Sequence, residues 1–298
     1  MLKKKIMLTL LAILLAGMPG SVMSSVSERC LIFDGAIVFE NGGEKESNIY
    51  LLEAKMNKPK RLTSIGNNIE PMWSPNGKNI AFTSIRKGHQ AEIYIMDSNG
   101  KNQKRVTYTE NGFSTSPRWS TDGKKLYFFS NIKGRFEENI IDLGNGKVKT
   151  LYSFDKPLTL GEIFQTYLSP DGKYKIAHYT SGKVVLIDEK TKAENNLEYG
   201  GKPAWNKDSE KLAYFLGGNS PRNILSIFDL NKNQYVEKIK VSSTNYEECC
   251  SPSWSKDSKQ MVYTCGPVAG PGEVWLYILD LRTRKFTKLL QGGNPDWY

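Results

Sequence analysis

The chain has 298 residues, of which 39% are hydrophobic and 24% are charged, and this is ample for one large globular domain. Its formal net charge is +10 at pH 7. The basic residues are scattered and form no long basic stretch, which argues against a nucleic-acid-binding protein.

The N-terminal segment has the pattern of an export signal. Lys3, Lys4 and Lys5 precede an apolar run from Ile6 to Ala16, and small residues follow as far as Ser25. This order is typical of a secretory signal peptide, and the run is short for a membrane span. We predict a signal peptide over residues 1–25 and a periplasmic or secreted protein that is not integral to the membrane after processing. The alternative is an N-terminal anchor that is never cleaved.

A repeated phrase dominates the rest of the chain. It begins with Pro-x-Trp, continues through a turn such as Ser-Pro-Asn-Gly-Lys, and leads into a second predicted strand. Successive anchors are separated by 46, 49, 37, 49 and 43 residues. The anchors are Trp73, Trp119, Leu168, Trp205, Trp254 and Trp297, with Leu168 in the degenerate copy. Periods of about 40–50 residues with several strands each are typical of a β-propeller, in which we expect the repeat tryptophans to pack between blades.

The two ends of the chain complete each other. Residues 36–63 contain three predicted strands without a first one, and residues 294–298 look like a first strand without a blade. Joining them removes two open sheet edges. The sequence therefore predicts an all-β fold over residues 26–298. It is a six-bladed β-propeller of four-stranded antiparallel blades, closed where the C-terminal strand joins the N-terminal blade.

Two copies of the repeat resemble a known family. Residues 70–107 and 116–131, with Glu92-Ile93-Tyr94-Ile95-Met96-Asp97, are similar to the repeat of TolB-type propellers. The resemblance implies an exported propeller that binds a protein partner at a mouth of its central channel, such as a peptidoglycan-associated lipoprotein. In that family a small domain precedes the propeller, and we expect the propeller alone in this sequence.

The resemblance also suggests where a partner would bind. We place the site where the chain returns to the axis before each first strand. The residues there are Glu70, Ser116, Thr166, Lys202, Glu248 and Asn294. Their mixed charge suits a peptide, a protein or a polymer. The alternative is that they only line a water-filled channel.

Four cysteines in an exported chain favour disulfide formation. A hairpin that turns at residues 256–259 places Cys250 opposite Cys265. We predict that Cys265 pairs with Cys250 or with its neighbour Cys249, and that Cys30 takes the remaining partner. Free thiols are the alternative.

Catalytic signals are weak in this sequence. It has no Gly-x-Ser-x-Gly elbow, and its two histidines, His89 and His178, are too few for the histidine-rich manganese site of propeller lyases. We expect a non-catalytic envelope scaffold with no metal or cofactor, although a calcium ion in a loop or the channel is left open. The alternative is a glycan-binding propeller or a polysaccharide-degrading lyase or hydrolase.

Overall fold

A computed structural model describes residues 33–42, 46–56, 58–86, 90–154, 163–217, 223–241, 247–267 and 273–298. The regular elements in these ranges are all β-strands, and they form six four-stranded antiparallel sheets. No helix within the described ranges is long and apolar enough to cross a membrane. The predicted all-β, six-bladed fold is confirmed. The predicted signal peptide lies outside the described residues.

The blades are numbered in chain order. Blade 1 contains β1 (Ala36–Asn41), β2 (Asn48–Glu53) and β3 (Lys60–Arg61), and blade 2 contains β4 (Asn67–Trp73), β5 (Asn79–Ile85), β6 (Ala91–Asp97) and β7 (Lys104–Arg105). Blade 3 contains β8 (Gly112–Trp119), β9 (Lys125–Ile132), β10 (Arg135–Asp142) and β11 (Val148–Phe154), and blade 4 contains β12 (Ile163–Leu168), β13 (Tyr174–Tyr179), β14 (Val184–Asp188) and β15 (Glu194–Leu197). Blade 5 contains β16 (Ala204–Trp205), β17 (Lys211–Phe215), β18 (Ile224–Asp229) and β19 (Gln234–Lys240), and blade 6 contains β20 (Glu247–Trp254), β21 (Gln260–Pro267), β22 (Trp275–Asp280) and β23 (Phe286–Gln291).

The last strand, β24 (Gly293–Trp297), belongs to blade 1. It pairs antiparallel with β1, with Ile37 opposite Trp297. Beyond the strand, Ala36 and Tyr298 exchange two backbone hydrogen bonds of 2.9 Å. The ring is therefore closed within one sheet, as predicted, and the two partners in that sheet lie at opposite ends of the sequence.

The repeated turn between the first two strands of a blade follows from its residues. In blade 2 the Ser74 hydroxyl contacts Asn76 and accepts a hydrogen bond from the Asn79 amide, while the Gly77 amide donates to the Ser74 carbonyl. Gly77 has φ +67°, a conformation that glycine adopts without steric cost. The Ser-x-Asp-Gly turns of blades 3 and 4 reproduce this arrangement.

The hydrophobic core lies between neighbouring blades. Phe215 of blade 5 packs against Tyr263 of blade 6 with ring centroids 5.5 Å apart, and both side chains are buried. In blade 1, where the ring closes, Phe33 packs edge-on against Trp297 with ring centroids 5.7 Å apart. Each blade therefore depends on its neighbours for burial of its apolar faces, and the ring is stabilised as a unit.

The strand order gives the ring two different sides. Turns that join first to second and third to fourth strands lie on one side, which we call the hairpin face. It comprises residues 33–35, 53–56, 58–60, 74–79, 97–104, 120–125, 142–147, 169–174, 188–193, 206–211, 229–234, 255–260, 280–285 and 298. The loops that join second to third strands, and the connections between blades, lie on the other side, which we call the crossover face.

Candidate functional site

The first strands of the six blades surround a central channel. A cavity of about 200 Å³ lies within it, lined by side chains that include Arg118, Thr166, Lys202 and Asp296. A second cavity of about 360 Å³ lies toward the hairpin face and is lined by repeat tryptophans, Pro75, Lys207, Lys256 and Tyr298, among others. The channel is a concave site of the kind that binds ligands.

The repeat tryptophans hold neighbouring blades together. The indole N–H of Trp119 donates to the Met72 carbonyl at 3.1 Å, that of Trp205 to the Tyr167 carbonyl at 3.1 Å, and that of Trp254 to the Ala204 carbonyl at 3.0 Å. Each acceptor directly precedes the anchor of the previous blade. Their geometry is that of structural residues at the blade interfaces.

Three of the proposed partner-binding residues, Glu70, Ser116 and Asn294, lie at a strand irregularity, and so does Ser251. Glu70, Ser116, Ser251 and Asn294 have φ between 44° and 56°, and each precedes a proline. In β4, β8 and β20 the register with the second strand shifts at this point. Proline has no N–H to donate to the ladder, so a bulge there leaves no amide donor unpaired. Glu70 and Ser116 are therefore inside their strands, not before them as the sequence suggested.

Glu248 does not occupy the position that was predicted for it. It lies near the start of β20, whereas the residue three positions before the Trp254 anchor, as Glu70 is before Trp73, is Ser251. The Ser251 hydroxyl donates to the Asn294 side chain at 2.9 Å. Counting back from the tryptophan in every repeat would have identified Ser251 in blade 6.

A belt of hydrogen bonds connects these residues across blades. Glu40 of β1 accepts from the Asn294 side chain at 3.0 Å and from the Glu70 amide at 2.6 Å. The Glu70 carboxylate in turn accepts from the Ser116 amide at 2.8 Å, the Ser116 hydroxyl at 2.9 Å and the Thr83 hydroxyl at 2.8 Å. The Glu70 carboxylate is thus largely engaged within the protein, so its immediate role is to join blades 2 and 3.

The belt continues through an ion pair that the sequence did not reveal. Arg118 is buried, pairs with Glu138 and donates to the Thr166 carbonyl at 3.1 Å. Glu138 also accepts from the Thr166 amide at 3.1 Å. A buried charge is tolerated when it is paired and hydrogen-bonded in this way. Nothing in the repeat pattern marks Arg118, because the equivalent positions hold Met72 and Ser253.

Lys202 takes no part in the belt of hydrogen bonds described above. Among the described residues, no acidic side chain lies within ion-pair distance of its ammonium, although it attracts the carboxylates of Glu40 and Asp296 through the channel. Burial raises the pKa of both carboxyls, and hydrogen bonds from the backbone oppose that shift. Of the six predicted binding residues, Lys202 is therefore the one with an ionic group available to a ligand in the channel.

Blade 6 contains a disulfide that joins Cys249 and Cys265. The bulge between Cys250 and Ser253 shifts the register by one residue, so that Cys249 faces Cys265 and Cys250 faces Thr264. Of the two pairings left open by the sequence, the structure contains the one with Cys249. Cys250 is free and exposed, and Cys30 lies outside the described residues.

The described residues contain no cluster of three or more histidine, cysteine or acidic side chains that could hold a metal ion. His178 lies in β13, and one of its ring nitrogens is 3.0 Å from the Gly200 carbonyl. Burial lowers the pKa of this imidazole, which favours its neutral form. His89 lies outside the described residues.

Exposed apolar side chains concentrate on one side of the ring. Among the residues that the structure describes, seven large apolar side chains are exposed. Five of them lie on the crossover face: Ile65, Ile85, Tyr108, Tyr199 and Val274. Arg105 lies over the Tyr108 ring at 4.5 Å. Tyrosine and arginine are residue types that are enriched at protein interfaces.

Comparison with known proteins supports the architecture. Residues 34–156 match the family model described as the TolB beta propeller domain. The crystal structure of TolB from Acinetobacter baumannii is similar, with a TM-score of 0.68 and 22% sequence identity over 95% of this chain and 68% of that chain. The chain is thus a six-bladed β-propeller, of which residues 34–156 match the TolB beta propeller domain.

The same fold occurs in proteins with other activities. An oligogalacturonate lyase from Vibrio parahaemolyticus has a TM-score of 0.53 and 13% identity, covering 86% of this chain and 79% of its own. The "Uncharacterized peptidase YuxL" of Bacillus subtilis is 36% identical over 62 residues, which are 20% of this chain and 9% of that relative. These similarities concern the propeller and leave the activity open.

Proposed function

We propose that this chain is an exported, non-catalytic binding module of the cell envelope that holds a protein partner at the crossover-face mouth of its channel. The observation that carries the proposal is the concentration of exposed apolar side chains on that face. Such side chains mark interaction surfaces when they share one region of a protein.

The channel supplies a second element of the proposed site. Lys202 faces a cavity of about 200 Å³ without an ion-pair partner among the described residues, so an acidic group of the partner can enter there. The belt of hydrogen bonds holds the blades together around this point, and it includes Glu70, Ser116, Thr166 and Asn294. In the proposal they position the mouth, and Lys202 together with the crossover-face residues makes the contact.

The test is photo-crosslinking in the host cell. A photoreactive residue at Ile85, which is 40% exposed on the crossover face, is compared with one at Phe286, which is 44% exposed on the outer strand of blade 6. We expect a discrete protein adduct from Ile85 and none from Phe286. A second variant, Lys202→Glu, should lower the yield of that adduct.

The identity of the adduct separates the alternatives. An envelope lipoprotein would support a scaffold that acts as the TolB resemblance implies. Equal adducts from both positions, or no protein adduct at all, would contradict the proposal. Recovery of glycan fragments instead would favour the polysaccharide-binding or polysaccharide-degrading alternative.

A further inference from the structure

The net charge of the propeller resides on one face. The hairpin face contains 20 lysines and arginines but 13 aspartates and glutamates, a formal excess of +7. All other residues after position 32 together contain 17 of each sign. Of the 20 basic side chains on the hairpin face, 19 are exposed. The difference in charge between the two faces follows from the repeated turns, because each turn on the hairpin face of blades 2 to 6 contributes at least one lysine or arginine.

The acidic residues of this face are largely occupied by the turns themselves. Asp122 accepts the Ser120 hydroxyl and the Lys124 amide, and these hydrogen bonds lower the pKa of its carboxyl. Asp188 and Asp280 likewise accept backbone amides from the residues that follow them, which lowers the pKa of each carboxyl. The carboxylates therefore fold back onto the backbone and stay ionised. Lys173, Lys192 and Lys259 pair with carboxylates of their own turns but remain largely exposed.

The positive charge is concentrated in one sector of the face. In blades 4 and 5 the basic and acidic residues of the face are equal in number, and the whole excess lies on blades 6, 1, 2 and 3. Eighteen of the 20 basic residues are lysines, which act as flexible, hydrated point charges without the geometric selectivity of arginine. A broad field of this kind suits a planar anionic surface.

The groove on this face does not suit an anionic polymer. It lies between blades 6 and 1, and its charged lining consists of Lys55, Lys256, Asp34, Glu53 and Asp257. The three carboxylates outnumber the two lysines, so the groove would repel a polyanion that entered it. The excess of cations is on the turns around the groove, where a surface can reach them.

We propose that the hairpin face docks onto the anionic phospholipid headgroups of a bilayer, independently of any partner in the channel. A polybasic surface gains about 1 kcal/mol for each lysine or arginine near an anionic membrane. The described part of the chain begins on this face, where Asp34 and Gly35 lead into β1. The crossover face, with its apolar residues, then points away from the membrane.

The experiment measures partition of the purified full chain onto vesicles of phosphatidylcholine alone and of phosphatidylcholine mixed with phosphatidylglycerol. The wild type should bind the mixed vesicles and lose binding as salt shortens the Debye length from about 10 Å at 0.1 M to about 3 Å at 1 M. Lys55→Glu with Lys285→Glu should lower the partition coefficient at least about tenfold. Both residues are exposed on the hairpin face.

The matched control is Lys133→Glu with Arg135→Glu, an equal change of charge on exposed residues of the crossover face. It should alter the partition by less than about twofold. All forms keep the same N-terminal residues, so any contribution from them cancels. The proposal is overturned by absence of wild-type binding, by equal losses in the two variants, or by capture of soluble polygalacturonate without vesicle binding. Unchanged melting of each variant verifies folding.

Discussion

At the residue scale, the buried carboxylates of the channel make the stability of the ring depend on pH. Asp296 accepts the Trp73 amide at 2.6 Å and the Ser253 hydroxyl at 3.2 Å, and it thereby connects blades 1, 2 and 6. Burial raises the pKa of its carboxyl. A raised folded-state pKa means that stability is present below the unfolded-state value and is lost as pH rises through the folded-state value.

Asp296→Asn should remove this dependence. The amide can still accept from Trp73 and can donate to the Ser253 hydroxyl, so the variant should gain melting temperature relative to the wild type as pH rises from about 4 to 8. Thermal unfolding at a series of pH values measures the difference. Asp171→Asn is the control, because hydrogen bonds from Ser169 and Lys173 outweigh burial and lower the pKa of Asp171 to about 2. Its effect should be constant above about pH 5, where Asp171 is ionised in both the folded and the unfolded state. Parallel curves for both variants above that pH would refute the expectation.

At the scale of the element, the bulge in β20 determines which cysteine is joined. Loss of the Cys249–Cys265 disulfide by double substitution to serine should lower the free energy of unfolding by about 2–3 kcal/mol, as for a closed loop of this length, with a sequence separation of 16 residues. Urea unfolding of the non-reduced protein gives the value. Cys250→Ser should change it by less than about 0.5 kcal/mol, since exposed positions tolerate substitution. A loss of similar size from Cys250→Ser would mean that Cys250 forms a bond in the folded protein.

The same strand shows what the sequence could and could not predict. Turn residues, strand periodicity and the tryptophan anchors identified the blades and the hairpin between Trp254 and Met261. The predicted pairing register of β20 with β21 beyond the bulge was wrong by one residue. The cause is the left-handed backbone conformation of Ser251 ahead of Pro252, which the sequence pattern does not show. For the same reason the position equivalent to Glu70 is occupied by Ser251 and not by Glu248, and the Arg118–Glu138 pair was missed because it depends on contacts between blades.

At the scale of the whole molecule, the ring depends on its closing strand. Trp297 is only 7% exposed and packs in the cluster of Phe33, Phe39, Val262 and Leu276. Trp297→Ala should lower the free energy of unfolding by about 3–5 kcal/mol, as expected for a large core aromatic. Deletion of residues 294–298 should cost more, because it also removes the backbone pairing with β1.

Urea unfolding measures both changes, with Phe286→Ala as the control. Phe286 is 44% exposed on the outer strand of blade 6, so its loss should cost less than about 1 kcal/mol. An unchanged transition after the deletion would refute closure of the ring by β24. Equal effects of Trp297→Ala and Phe286→Ala would also be inconsistent with a buried closing strand.

Closure by β24 has a consequence for the order in which the protein matures. Blade 1 is begun by residues 36–61 and completed by residues 293–297, so a chain emerging from a ribosome or a translocation pore presents three strands of that blade long before the fourth arrives. Until then β1 has an unpaired edge that can pair with another chain. The ring therefore cannot close before β24 is available to pair with β1. A nascent chain remains an open arc, without a complete channel, until residues 293–297 are released.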